Sequence, residues 1–252
     1  MKNRLTISLL LAAIYLFWLL LSAPARLLAL ALPEGARLVE PTGTLWKGEA
    51  LQASWRGVEL AYLRWEFGFS SWLPGWHIRF NDPSGLRGQV WLHGLNEFVV
   101  REGRLEAPAR LISQRLALGM PLEARGQLVM TLPEASFNAN GCRQMTASTV
   151  QWRDAALSSP AGSLELAQVN GKLSCTPAGA LAVALTQDSH QLSLTGQGVL
   201  TPDGRYTFNG TLQPRQAAPA LLTLLLAQNG RKDEQGRIPW RWQGEWLSEE
   251  KK

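Results

Sequence analysis

The sequence is poor in the residue types from which catalytic and metal sites are built. Three histidines and two cysteines occur in 252 residues, and only 18% of the chain is charged. His77, His93 and His190 stand far apart, none with a second histidine, cysteine or paired carboxylate at ligand spacing, and each reads as a lone strand residue facing solvent. No G-x-S-x-G elbow, P-loop, G-x-G-x-x-G or H-E-x-x-H occurs, so the usual signatures of nucleophilic, nucleotide-dependent and zinc chemistry are missing. Carboxylates are sparse, and the pair Glu249-Glu250 sits in a charged tail where solvation is expected rather than a tuned acid and base. The expectation is a chain that is not an enzyme, with no catalytic residues, no metal and no cofactor.

Clustered cations are missing too. The net charge is +5, but Lys and Arg are scattered, and the only basic pairs are Arg231-Lys232, followed at once by Asp233-Glu234, and Lys251-Lys252. A phosphate-reading surface needs grouped cations to release counterions, which argues against nucleic acid. A mild basic excess suits a domain that faces an anionic membrane surface. With 46% apolar residues the chain is too apolar for disorder.

What the sequence does have begins with one long uncharged run. Lys2 and Arg4 precede residues 5–25, which carry no charge. Twenty-one residues at about 1.5 Å each cover about 31 Å, close to a hydrocarbon core of roughly 30 Å. The positive flank keeps residues 1–4 cytoplasmic and sends residues 26–252 across the membrane as a periplasmic β-rich domain. A cleaved signal peptide is the competing reading, because Ala23-Pro24-Ala25 has the small-x-small pattern of a cleavage site. The length of the run, the aromatic residues Tyr15, Phe17 and Trp18 and the proline inside the motif favour a signal-anchor. Cys142 and Cys175 lie 33 residues apart, outside any C-x-x-C arrangement. In an oxidising compartment a disulfide is expected, worth about 3–4 kcal/mol on the chain-entropy account; two buried free thiols are the alternative.

Beyond the run, apolar residues alternate with polar ones between Gly, Pro, Asn and Asp signals. Trp76, Ile78 and Phe80 alternate up to Asp82-Pro-Ser-Gly85, then Leu86, Val90 and Leu92 follow, and the two runs read as a hairpin. Period two recurs at Leu128, Met130 and Leu132, at Leu181, Val183 and Leu185, at Leu192 and Leu194, and at Tyr206 and Phe208. Helical spacing occurs twice, from Pro108 to Leu118 and from Pro219 through Ala227 to Asn229-Gly230. The segment from Pro133 to Gly141 is a candidate crossing point between two halves, although no linker divides the region. The fold class is mainly β: an N-terminal transmembrane helix followed by a long, curved antiparallel sheet with one or two short helices.

Eleven tryptophans are an unusual number for this length. Core packing is the ordinary use of an indole; the other is an aromatic surface that meets a bilayer interface, a lipid or a partner protein. Trp72-Leu-Pro-Gly-Trp76 is a candidate exposed site, since a Pro-Gly turn between two indoles does not easily bury both. Trp240, Trp242 and Trp246 share one face of the last expected strand and complete the candidate interaction surface.

Leu32-Pro33, Val39 and the element Gly43-Thr-Leu-Trp-Lys-Gly48 carry a resemblance. Together with the two central cysteines, the leucine-rich stretch before Asn229-Gly230 and the closing Gly236-Arg-Ile-Pro239 and Trp240-Arg-Trp-Gln-Gly244, they resemble protein N of the bacterial type II secretion system over nearly the whole chain. The resemblance implies a non-enzymatic, single-pass inner-membrane accessory component that supports export of folded periplasmic proteins through contacts with other inner-membrane subunits of that system. Its short Gly-x-Leu-Trp-x-Gly element is also similar to strands of AsmA-type exported proteins, which implies as the alternative a module that binds or handles lipid.

Overall fold

The computed structural model describes residues 2–30, 32, 35–55, 58–70, 72–94, 97–113, 123–159, 162–219 and 233–245. These are mainly β-strands in antiparallel pairs with few helical segments, as the alternation predicts. The chain divides into two compact units, Met1–Pro83 and Ser84–Lys252.

The first unit opens with helix α1 (Lys2–Leu21). It ends four residues short of the expected limit at Ala25, because the Ser22 hydroxyl turns back to the Trp18 carbonyl (2.7 Å) and Pro24 cannot continue a helix. Within it, residues 6–21 are uncharged and exposed; sixteen residues span about 24 Å. Among the described residues no helix is long and apolar enough to cross a membrane by itself. A 3-10 turn (Ala25–Leu30) then leads into β1 (Ala36–Val39), β2 (Thr42–Gly43), β3 (Lys47–Trp55), β4 (Val58–Ser70) and β5 (Leu73–Asn81). The strands pair in the order β1, β3, β4, β5, with β2 a short addition to β3.

Side chains sort by parity where β3 and β4 pair from Lys47 with Glu66 to Ala50 with Leu63. On one face of β3 and β4 the small residues Gly48 and Ala50 lie opposite Trp65 and Leu63, and Ile78 of β5 pairs with Trp65. Trp65 is buried there with Ala25 and Ala50, beneath partly buried Leu28, Leu38, Leu63, Trp76 and Ile78. Removing an indole's roughly 200 Å² from water is worth about 5 kcal/mol before entropy is counted. Gly48 makes that possible: a Cβ there would lie 2.5 Å from the Trp65 ring and 2.4 Å from the Thr42 carbonyl oxygen. The other face carries Lys47, Glu49, Arg64, Glu66, His77 and Arg79 in cross-strand register.

The second unit runs β6 (Arg87–His93), β7 (Phe98–Pro108), α2 (Ala109–Ser113), β8 (Glu123–Asn138), β9 (Gly141–Thr146), β10 (Thr149–Ser159), β11 (Gly162–Cys175), β12 (Leu181–Asp188), β13 (Leu192–Leu200), β14 (Arg205–Pro214) and β15 (Ile238–Glu245). Each strand pairs with its neighbour in sequence, except that β10 returns to β8 while β9 folds onto the far part of β8. The buried cluster here is aliphatic: Ala155, Leu166, Val169, Leu192 and Leu212 are buried, with Trp152, Leu157, Leu164, Leu185 and Leu194 packed against them.

Three expectations change on inspection. The segment from Pro133 to Asn138 continues β8 and is no crossing point, since β8 pairs with β7 from Gln127 through Phe137. Of the helix expected from Pro108, only Ala109–Ser113 is helical among the described residues, and Pro108 itself closes β7. His93 is buried, 6% exposed, where a solvent-facing histidine was expected. Along β7, opposite Gln89 to Trp91, one extra residue stands at Glu102, whose φ is +50°, and the side chains of β7 change face there. The helix expected after Pro219 and Trp246 lie outside the described residues.

Candidate interaction site at the helix and sheet junction

The Gly43–Gly48 element is where the helix is joined to the sheet. A helix ends with carbonyls that have no partner within it. Here the Trp46 indole Nε1–H donates to the Leu20 carbonyl at 2.8 Å, and the Ser22 N–H donates to Trp18 at 3.0 Å. The Leu45 N–H donates to the Ala23 carbonyl at 2.8 Å, while Pro24 bridges to Thr44. The turn is closed by the Thr44 N–H on the Lys47 carbonyl (2.8 Å), and Trp65 Nε1–H donates to the Thr44 carbonyl at 3.1 Å. Ala25, 1% exposed, is packed beneath. Both indoles satisfy polar backbone, and Trp65 fills the core as well.

Aromatic rings continue outward from this junction. Trp46 meets Phe67 edge-on at 5.1 Å, and Phe67 meets Trp76 at 5.1 Å and Phe69 at 6.1 Å. Beyond them the rings are open to solvent: Phe69 is 72% exposed and Trp72 96%. The expected Pro-Gly turn is displaced, for Pro74 and Gly75 belong to β5 and the chain reverses before them, with Trp72 at φ +69°. Proline is tolerated near the start of a strand. Of the two indoles flanking Pro74-Gly75, Trp72 is exposed and Trp76 packs on the core around Trp65.

The charged face of the same strands forms an open groove of about 420 Å³ lined by Lys47, Glu49, Arg64, Glu66, His77 and Arg79, among others. Its charges are spent on one another: Lys47 to Glu66 and Arg64 to Glu49 are both 2.9 Å. The hydrogen bond from Lys47 holds the Glu66 carboxyl below the usual carboxylate range, so it is a poor proton acceptor near neutral pH. Among the described residues no three His, Cys, Asp or Glu side chains are grouped to hold a metal.

A helix pinned to a tryptophan turn, followed by a long succession of antiparallel strands, can be compared with known proteins. Residues 34–241 match the family of the type II secretion system (T2SS), protein N. The chain belongs to the type II secretion system protein N family. It is 90% identical over the full length of both chains to type II secretion system protein N of Klebsiella pneumoniae. It is 34% identical to that of Pectobacterium carotovorum subsp. carotovorum, over 98% of this chain and 99% of the relative, and 33% identical to that of Vibrio cholerae, over 97% and 100%. No solved structure matches.

In this protein N family member the remaining expected sites fall in the second unit. Cys142 of β9 and Cys175 at the end of β11 form a disulfide, with Cα atoms 5.4 Å apart. The Cys142 N–H also donates to the Gly179 carbonyl (2.8 Å), so β9 is tied to the turn between β11 and β12. Trp240 and Trp242 stack on one face of β15 with centroids 6.2 Å apart, against Phe208 and Tyr206 of β14. Neither strand is near the Trp72 hairpin in sequence. The roles of Trp46, Phe67 and Phe69 were not read from the sequence. The pattern Phe67-Gly-Phe69 just before a Ser-Ser pair is the signal that marks them.

Proposed function

We propose that this component of the type II secretion system is a non-enzymatic assembly protein, anchored in the inner membrane by α1, with its strands in the periplasm contacting other inner-membrane subunits. One observation carries the reading: the seven consecutive side chains Tyr15 to Leu21, nearly two helical turns, are each between 44% and 66% exposed, so α1 offers apolar surface on every side. A helix apolar all round wants an apolar solvent. Its full length of 20 residues corresponds to about 30 Å, and a shorter uncharged stretch is accommodated by thinning of the bilayer. The clamp of Trp46 on Leu20 supports an anchor that serves as part of the folded unit rather than as a loose leash.

The test is a deletion strain that expresses a type II secretion substrate. Accumulation of the substrate in the periplasm, reversed by the full chain, is the expected result; unchanged export would overturn the role. A C-terminal reporter active only in the cytoplasm would overturn the topology.

A further inference from the structure

We propose that the tip of the β4–β5 hairpin is a second membrane contact, seating Phe69, Trp72 and Leu73 in the lipid interface beside the end of α1. The inference rests on the anchor reading and adds a site to it.

Register gives the direction. Lys47 opposite Glu66 is the last pair of β3 with β4, yet β4 and β5 continue through Phe67 with Trp76, Gly68 with Gly75, Phe69 with Pro74 and Ser70 with Leu73. Four further pairs carry the hairpin about 13 Å past the end of β3. That is the end at which the helix joins, because the Phe67 N–H donates to the Trp46 carbonyl (2.6 Å) while the Trp46 indole holds Leu20. The helix and the hairpin tip therefore flank one residue, Trp46.

Chemistry gives the occupant. Residues 67–76 contain no charge, and charged side chains resume at the base with Glu66, Arg79, Lys47 and Arg64. Phe69, Trp72 and Leu73 are 72%, 96% and 44% exposed, and Trp72 holds a left-handed φ of +69°, which a bulky side chain adopts only when something favours it. An uncharged aromatic tip above a charged collar is the composition of a membrane interface, where indoles sit at headgroup level. On the helix, Tyr15, Phe17 and Trp18 are exposed in the last two turns, so the helix and hairpin tip supply aromatic residues to the same interface.

The experiment uses the full chain in vesicles of phosphatidylethanolamine and phosphatidylglycerol, with a nitrobenzoxadiazole probe on one added cysteine: Trp72→Cys, Trp18→Cys, or Glu59→Cys at the opposite end of β4. Lipid carrying a nitroxide near the headgroup is the quencher. Probes at 72 and 18 are expected to lose about half their emission or more, as interfacial groups do, and the probe at 59 almost none. Quenching at 18 with position 72 behaving like 59 overturns the hairpin contact, and points to a protein partner or to water at the tip, while the anchor stands. Absence of quenching at 18 and 72 alike overturns the anchor, and the inference with it.

Discussion

The two units solve the same problem, stabilising antiparallel strands, with different side chains. In Met1–Pro83 a few large rings do the packing, with Trp65 set over Gly48 and Ala50 and Trp46 closing the helix end. In Ser84–Lys252 the central buried cluster consists of Ala, Val and Leu, with one indole, Trp152, against it, and a covalent bridge between Cys142 and Cys175 ties β9 to β11. Aromatic packing concentrates stability in single residues, whereas aliphatic packing spreads it along the strands and leaves a flap that the bridge holds.

The largest expected effect is at Trp65. Trp65→Ala removes the ring under which Ala25 and Ala50 are buried and frees the Thr44 carbonyl, and should cost about 3–5 kcal/mol in urea unfolding followed by circular dichroism. Hydrogen exchange should rise across β3 to β5 and not in β10 to β13; equal loss in both would break the contrast. Next, replacing both cysteines by serine should cost about 3–4 kcal/mol, with proteolysis opening first around β9 and the first unit unchanged. Protection lost first in β3 to β5 would reverse the assignment of the bridge.

The smallest effect is from acid. The Thr201 hydroxyl, then Arg205, hold Asp203 at about 2, and Lys47 holds Glu66 below its usual range. Both carboxyls are depressed in the folded state, so what they add is present above their unfolded values near 4 and is lost as pH falls through the folded ones. Both are exposed and screened by water. Asp203→Asn should flatten stability slightly between about pH 4 and 2, and Glu66→Gln slightly as pH falls below its unfolded value near 4, one in each unit. A midpoint shift as large as that of Trp65→Ala would show that surface charge outweighs packing in one of them.

Much of the strand pattern was legible because one-sided burial writes period two into the residues: Trp76 to Phe80, Leu128 to Leu132, Leu181 to Leu185 and Tyr206 with Phe208 all lie in strands. Irregularities were not legible, because they arise between strands. The extra residue Glu102 in β7 leaves no trace in the local pattern, and Gly126 is read as a strand glycine until Asp154 bulges against it, where a Cβ would lie 2.3 Å from the Arg153 carbonyl oxygen. Pro74 and Pro133 looked like breaks because proline usually punctuates; both are held inside strands by long pairings that no local signal announces. At the junction, Trp46 and Gly48 were visible as a motif, but the hydrogen bond to Leu20 joins residues 26 positions apart and needed the fold to appear.

The burial of Ala23 and Ala25, at 7% and 1% exposed, has a bearing on maturation. A protease that recognises two small residues around a third must draw that stretch out as an open strand. Here Leu45 and Thr44 already hold it against the turn, and Trp65 covers Ala25. Processing at this point would thus be a race that ends when the turn closes: a bond not cut in the nascent chain is withdrawn from the enzyme by folding itself.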